Sequence, residues 1–216
     1  MLKATLLGGT GLIGGHILEY LLEDPMYTSV SLILRHKVEI THPKVKSILI
    51  DFNDQVAFKA AIEPDSIIFC AIGTTQKKVN GDKIKYRQVD YDIPLHAATY
   101  ALSKNCKVFS LVSSIGANAN SSNFYTKLKG EVEDDISNLG FSIFHIFRPS
   151  ILIGNRKESR LLEDIFKRVM TLFSFLIPDQ FKPIQAKDVA KAMVIAAKSK
   201  HLGSQIFRYR EIKDLV

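Results

Sequence analysis

The chain opens with a short apolar run followed by a glycine-rich turn, and this junction constrains the fold more than any other feature. Residues 4–7 (Ala-Thr-Leu-Leu) lead into G-G-T-G-L-I-G-G at 8–15, and apolar residues then repeat every fourth position through Leu22. The pattern predicts a buried strand, a turn and a helix that packs on a sheet. Backbone N–H groups of such a turn can approach a pyrophosphate at the helix N-terminus. We therefore predict an α/β, Rossmann-type, doubly wound parallel sheet that binds a dinucleotide.

Two other interpretations of the glycine run are weaker. Gly8, Gly11 and Gly14 are spaced G-x-x-G-x-x-G, which differs from the tighter G-x-G-x-x-G fingerprint, so a turn without a ligand stays an alternative. A phosphate-binding loop of the NTPase kind is excluded, because Gly15 and His16 stand where that motif requires Lys and Ser or Thr.

Length and composition fit a single domain over residues 1–216. Hydrophobic residues make up 46% of the 216 positions, enough for a sizeable core, and we expect residues 154–216 to contribute a small cap on the substrate side. Apolar runs are far shorter than the roughly 20 residues of a bilayer span, and no small-residue cleavage site follows the first helix. We therefore expect a cytoplasmic protein with no membrane partner.

Cysteine, histidine and charge patterns narrow the functional classes further. Cys70 and Cys106 lie 36 residues apart in or beside apolar strands, as reduced core thiols do, and the six histidines form no H-x-x-x-H pair, so no metal site is expected. A formal charge of +7 permits attraction to phosphates. Because the basic residues are dispersed rather than clustered with aromatics, nucleic acid is not the expected partner.

The second predicted strand, residues 29–34, ends at Arg35. In a Rossmann fold an acidic residue near this point takes the ribose 2′-hydroxyl of NAD, whereas an arginine can pair with the 2′-phosphate of NADP. Arg35, followed by His36 and Lys37, therefore favours NADP and makes NAD the less favoured cofactor. The alternative is an ordinary solvated strand end.

Further along, predicted strands at 46–50 and 66–71 alternate with a short helix that Asn53 or Asp54 could cap. Ligands bind beyond the carboxyl ends of parallel strands, so we expect the cofactor to pass the small residues after the fourth strand: Ala71, Ile72, Gly73 and Thr74. A plain loop is the alternative there. Residues 76–87 are polar and lysine-rich, which predicts an exposed, mobile loop. Asp90 is then the predicted N-cap of a helix that has Pro94 in its first turn and ends near Lys104.

A tyrosine and a lysine stand one helical turn apart after the fifth predicted strand, residues 107–112. That strand ends in Ser113 and Ser114, and the helix predicted over 124–138 places Tyr125 and Lys129 on one face, with Cβ atoms roughly 5–6 Å apart. A nearby ammonium stabilises a phenolate and makes a tyrosine hydroxyl a better proton donor or acceptor near neutral pH. A serine hydroxyl from the strand end could hold a substrate oxygen. By itself the Tyr-x-x-x-Lys pair also fits an exposed helix face.

These motifs together resemble a known family. The combination of the glycine turn with V-S-S-x-G-A, S-S-N-F, K-G-E-V-E, F-R-P-S-I-L and N-R-K-E-S-R is similar to the atypical short-chain dehydrogenase/reductases, in the branch of the Tat-interacting oxidoreductases. The resemblance covers nearly the whole chain. It implies a Rossmann fold that binds NADP, but no particular substrate.

The resemblance also implies roles for individual residues. Tyr125 would be the acid/base, Lys129 would support it and hold the nicotinamide ribose, and Ser114 or Ser113 would polarise the carbonyl. These serines precede the tyrosine by 11 and 12 residues, slightly short of the usual spacing, so both stay open. The remaining cofactor contacts that it implies are Gly8, Thr10, Gly11, Leu12, Ile13 and Gly14 at the turn, Asp51 and Phe52 near the adenine, Ser113, and Pro149, Ser150 and Ile151 along the nicotinamide.

The C-terminal third predicts a strand at 141–147, a polar loop at 155–160, an apolar helix at 161–176, a helix from Ala186 and a strand at 205–209. The helix at 161–176 carries more apolar residues than one solvated surface uses. It either covers the substrate cleft, forms a homodimer contact or completes the core. The K-D-V-A sequence at 187–190 recurs in extended members of the resembled superfamily, where its helix closes the substrate side.

We therefore expect an NADP-dependent oxidoreductase that reduces a carbonyl or oxidises an alcohol of a small molecule. The alternative is an NADP-binding, redox-sensing or regulatory protein that acts through protein partners.

Overall fold

The computed structural model describes residues 1–154 and 178–216, which form an α/β fold around one parallel sheet. The strands of this part of the chain are β1 (Leu2–Leu7), β2 (Tyr27–Leu34), β3 (Val45–Leu49), β4 (Ile67–Cys70), β5 (Val108–Val112), β6 (Ile143–Phe147), β7 (Leu152–Ile153), β8 (Ile184–Gln185) and β9 (Gly203–Phe207). The helices are α1 (Leu12–Glu23), α2 (Gln55–Ala61), α3 (Lys83–Arg87), α4 (Ile93–Ser103), α5 (Phe124–Asn138), α6 (Ala186–Ala196) and α7 (Tyr209–Asp214).

Seven strands form the main sheet in the order β3-β2-β1-β4-β5-β6-β9, and every neighbouring pair is parallel. The chain runs outward from β1 to β3 and then returns to place β4 on the other side of β1. This reversal is the topological switch point, where open α/β sheets bind ligands at the carboxyl ends of their strands. The predicted Rossmann-type sheet is confirmed, and β1 with its glycine turn lies at the switch point.

Both faces of the sheet are buried, which explains the continuous apolar runs of the inner strands. On one face, Leu6 and Leu32 pack with α1 and α6; on the other, Leu7 and Ile33 pack with α2, α4 and α5. Neighbouring residues of one strand thus serve opposite cores because strand side chains alternate.

The chain between β4 and β5 differs from the prediction. A helix begins at Lys83, not after Asp90, because the Asp82 carboxylate accepts the N–H groups of Ile84 and Lys85 as an N-cap. The helix continues through a π-helical segment, Gln88–Asp92, into α4. The prediction was wrong because Pro94 cannot donate to the carbonyl four residues back and usually marks a helix start. Here the π turn, in which the Ile93 N–H donates to the Gln88 carbonyl, accommodates the proline.

The described C-terminal residues belong to both the sheet and its helical layer. α6, which carries the K-D-V-A sequence, packs against α1. β9 begins two residues earlier than predicted and joins the sheet beside β6, while β7 and β8 form a separate two-stranded sheet. The predicted loop at 155–160 and helix at 161–176 lie outside the described residues.

Both cysteines, Cys70 and Cys106, are free and buried. Within residues 1–154 and 178–216, no helix combines the length and apolarity of a membrane span, and no three potential metal ligands cluster together.

Candidate functional site

The glycine turn packs too closely for side chains at two of its positions. Gly8 has φ +84°, and a Cβ there would lie 2.5 Å from the Ala71 carbonyl oxygen at the end of β4. A Cβ at Gly14, in the first turn of α1, would lie 2.0 Å from the Gly8 carbonyl oxygen. The turn is therefore pressed between β4 and α1, and its backbone lies at the open N-terminus of a 12-residue helix. That arrangement suits an anion.

A cavity of about 330 Å³ opens at the carboxyl ends of β1, β2 and β4. Eight predicted cofactor residues line it: Gly8, Thr10, Gly11, Arg35, Phe52, Ala71, Ile72 and Gly73. Eight further lining residues were not among the predicted contacts: Gly9, Ile33, Leu34, His36, Val38, Lys78, Val89 and Ile93. Val89 and Ile93 are four residues apart, and this helical spacing could have predicted that they share one face of a helix. The sequence around Lys78 carried no such signal.

The charge of this cavity is one-sided. Three of its lining residues are basic types, Arg35, His36 and Lys78, and among the described residues that line it none is Asp or Glu. A carboxylate at the end of β2 would have suited the ribose hydroxyls of NAD. The lining instead suits a ligand with several phosphates and one flat, apolar group, which the Phe52 ring and the aliphatic residues can contact. The cavity thus fits the adenosine and phosphate part of a dinucleotide.

Tyr125 and Lys129 lie side by side on α5, opposite the helix that contains the π turn. The Lys129 Nζ is 2.9 Å from the Asp90 Oδ1, and the two side chains are only 4% and 2% exposed. Burial lowers the pKa of Lys129, but the charge of Asp90, the Tyr125 oxygen and the hydrogen bond to Asp90 outweigh it, so the pKa of Lys129 is raised. The ammonium therefore stays protonated beside the tyrosine.

Asp90 also fixes the segment after β4. Its second oxygen, Oδ2, accepts the Thr74 N–H at 2.8 Å, and the Tyr86 hydroxyl donates to the Thr74 carbonyl at 3.2 Å. The Tyr86 ring in turn meets the Tyr125 ring edge-on, with centroids 6.1 Å apart. Burial raises the pKa of Tyr86, which keeps its hydroxyl a donor. One buried carboxylate thus connects the cofactor side at Thr74 with the Tyr125–Lys129 pair.

The two candidate serines have different environments. Ser113 is buried, and its hydroxyl donates to Glu133, which also forms an ion pair with Arg148. Among the described residues, the one hydrogen bond of the Ser114 hydroxyl goes to the neighbouring Ile115 carbonyl, at 3.2 Å, and Ser114 is half-buried at the strand end. The Ser113 hydroxyl is therefore already used within the protein, whereas Ser114 can turn toward a bound molecule.

The other predicted contacts are not among the residues that line the cavity. Leu12 and Ile13 follow the turn in α1, and Ile13 is buried. The Asp51 carboxylate accepts from the backbone and side chain of Asn53. After β6, Pro149 is buried, the Ser150 hydroxyl donates to the Lys182 carbonyl, and Ile151 is 55% exposed.

Comparison with known proteins identifies the family of the chain. The model of a family described as NAD(P)H-binding matches residues 8–200. The chain therefore belongs to the NAD(P)H-binding family, and the resemblance seen in the sequence is confirmed.

Two relatives are close enough in sequence to report individually. Protein FMP52, mitochondrial, of Candida albicans is 33% identical over 88% of this chain and 85% of its own length. Protein HTATIP2 of Rattus norvegicus is 35% identical over 72% of this chain and 64% of its own length.

Among solved structures, the Bordetella bronchiseptica enzyme WbmH in complex with NAD+ superposes with a TM-score of 0.74. It is 21% identical, over 96% of this chain and 76% of that one. UDP-glucose 4-epimerase of Thermotoga maritima gives 0.71 at 16% identity, over 95% and 76%. At these identities the likeness concerns the fold.

Proposed function

We propose that the protein is an NADP-dependent oxidoreductase that interconverts a carbonyl and an alcohol on a small molecule. The observation that carries the proposal is the Tyr125–Lys129–Asp90 group, held beside the end of β4, next to a basic dinucleotide cavity. A tyrosine beside a buried ammonium is an arrangement that suits a general acid in carbonyl reduction.

On the cofactor side, the preference for NADP rests on Arg35. Arg35 follows the end of β2, where the ribose 2′ position of a Rossmann cofactor lies, and none of the described residues that line the cavity carries a carboxylate to oppose a phosphate. Charge-assisted contacts between arginine and phosphate are among the stronger hydrogen bonds.

On the reaction side, each residue has a distinct task. When bound, NADPH supplies the hydride for carbonyl reduction. Tyr125 gives a proton to the developing alkoxide, the Lys129 ammonium stabilises the negative charge left on the Tyr125 oxygen, and the Ser114 hydroxyl donates a hydrogen bond to the substrate oxygen. Ser113 is not proposed for this role because its hydroxyl is bound to Glu133.

The cofactor preference is tested by titrating NADPH and NADH into wild type, Arg35→Ala and Lys37→Ala. Loss of a phosphate contact of about 1.4 kcal/mol corresponds to a tenfold change in Kd. We expect Arg35→Ala to weaken NADPH binding about tenfold and leave NADH unchanged, whereas Lys37→Ala, which removes the same charge outside the cavity, has little effect. Equal weakening of both nucleotides by Arg35→Ala would contradict the preference.

The reaction is tested with a panel of small aldehydes and ketones, by following NADPH consumption. Tyr125→Phe is compared with Tyr100→Phe, a matched control on α4 whose ring packs on Phe58. We expect turnover in wild type and in the control, and its loss in Tyr125→Phe with NADPH binding retained. NADPH binding without turnover of any carbonyl would favour a redox-sensing or regulatory role through protein partners.

The compartment is also open to experiment. The sequence predicts a cytoplasmic protein, whereas the FMP52 relatives are named as mitochondrial. Fractionation of cells that express a tagged full chain decides between the two.

A further inference from the structure

The segment between β4 and α3 is a tight turn held by its own backbone. The N–H groups of Lys78 and Val79 donate to the Thr75 carbonyl at 2.9 and 3.3 Å, and the Gly81 N–H donates to the Gln76 carbonyl at 3.0 Å. Asn80 and Gly81 adopt positive φ angles of 51° and 76°, which reverse the chain. The segment predicted as an exposed, mobile loop therefore contains hydrogen-bonded turns.

Both ends of this turn are fixed to the fold. At the first end, Thr74 is bound through its N–H by Asp90 and through its carbonyl by Tyr86. At the second end, Asp82 caps α3. The position of the Lys78 backbone relative to the sheet is thus set by a buried carboxylate on one side and a helix start on the other.

Two adjacent lysines in this turn differ in what they face. Lys78 lines the dinucleotide cavity, whereas Lys77 does not. Within residues 1–154 and 178–216, neither has a carboxylate within ion-pair distance. The Lys78 side chain therefore brings to the cavity a positive charge that no described carboxylate pairs with.

The sheet order indicates which phosphate this charge serves. β4 is the direct neighbour of β1, whose glycine turn follows it, whereas Arg35 follows β2 on the far side of β1. Because neighbouring strands are about 5 Å apart, the ends of β2 and β4 are separated by about 10 Å. The segment that follows β4 therefore leaves the sheet directly beside the glycine turn, one strand spacing closer to that turn than to the end of β2.

We propose that Lys78 binds the pyrophosphate of the cofactor, opposite the glycine turn, and so contributes equally to NADPH and NADH. The proposal rests on the proposed function only in that a dinucleotide occupies the cavity. It assigns different phosphates to the two cations, so that Arg35 discriminates between the cofactors and Lys78 does not.

The test measures the Kd of NADPH, NADH and ADP for wild type, Lys78→Met, Lys78→Arg and the matched control Lys77→Met. Methionine keeps the apolar stem and removes the charge. For an exposed contact, we expect Lys78→Met to weaken all three ligands by a similar factor, about fivefold. Lys78→Arg should restore binding, and Lys77→Met should leave it within about twofold. Added salt should reduce the difference between Lys78→Met and wild type, because it screens the exposed charge.

Three outcomes would overturn the proposal. If Lys78→Met weakened the binding of NADPH alone, Lys78 would contact the 2′-phosphate. If Lys77→Met weakened binding as much as Lys78→Met, the effect would come from the net charge of the protein and not from a contact. If Lys78→Met left all three Kd values unchanged, Lys78 would not contact the cofactor. The preference for NADP is judged separately by Arg35→Ala, and the reaction by Tyr125→Phe. Binding of neither nucleotide would end both proposals, whereas binding without turnover would end only the proposed reaction.

Discussion

The cofactor cavity and the Tyr125 region are built by different means, although they adjoin at Thr74. The cavity is open, and its anion-binding part consists of backbone at a glycine turn, supplemented by cations from separate strand ends and loops. The Tyr125 region depends on a buried ion pair between two helices, where Lys129 and Asp90 are almost completely excluded from solvent. Substitutions in the first region should mainly change affinity, and those in the second should change stability and reactivity together.

The largest effect is expected from removing one partner of the buried pair. Asp90→Ala leaves the Lys129 charge uncompensated and frees the Thr74 N–H, so we expect a loss of about 3–5 kcal/mol in the free energy of unfolding. Asp92→Ala is the matched control, because the Asp92 carboxylate is 3.8 Å from Arg87 and its side chain is 38% exposed, and should cost less than about 1 kcal/mol. Urea unfolding measures both. Similar losses in the two variants would contradict the prediction that breaking the buried Lys129–Asp90 pair costs more than breaking an exposed one.

A second buried polar group, on β6, contrasts with this ion pair because no partner for it is found among the described residues. His145 on β6 is fully buried against Phe207, and among the described residues neither ring nitrogen has a hydrogen-bond partner. Burial lowers the pKa of His145 to about 4. The native state then binds fewer protons than the unfolded state between about pH 6.5 and 4. The free energy of unfolding therefore decreases as the pH is lowered through that window, by up to about 3 kcal/mol.

The measurement is urea unfolding of wild type and His145→Phe at several pH values. The difference between the two proteins should shift in favour of the variant as the pH falls from 7 to 4. If the difference in unfolding free energy stayed constant with pH, the pKa of His145 would not be lowered in the native state.

The glycine turn offers a third test, with adjacent residues as the pair. Gly14→Ala forces a Cβ against the Gly8 carbonyl, so we expect a loss of about 1–3 kcal/mol in stability, and weaker NADPH binding because the turn must move. A Cβ at Gly15 has its nearest neighbour at 3.8 Å, so Gly15→Ala should gain about 0.5–1 kcal/mol from helix propensity. Thermal unfolding measures the change in stability, and NADPH titration measures the change in affinity. If both substitutions changed the stability in the same direction, the difference in packing between Gly14 and Gly15 would be contradicted.

The sequence predicts features that depend on neighbours along the chain. The glycine turn, the strand ends at Arg35 and Ala71, and α5 at residues 124–138 were located correctly, because Asn123 caps α5 and apolar periodicity defines the rest. Asp90 was misread because its partner Lys129 lies 39 residues away and a proline nearby suggested a helix start. The sequence did not predict Lys78 in the cavity or Glu133 as the partner of Ser113, because both contacts join elements that are distant along the chain.

The proposed function divides the work between two residues: Arg35 holds the cofactor, and Tyr125 transfers the proton. The most direct measurement is the rate of NADPH consumption, at saturating NADPH, with the best carbonyl compound of the panel, in wild type, Arg35→Ala and Tyr125→Phe. We expect saturation to restore a near wild-type rate in Arg35→Ala and leave Tyr125→Phe at least about a hundredfold slower, within the usual range for a general acid. A Tyr125→Phe variant that consumed NADPH as fast as wild type would contradict the claim.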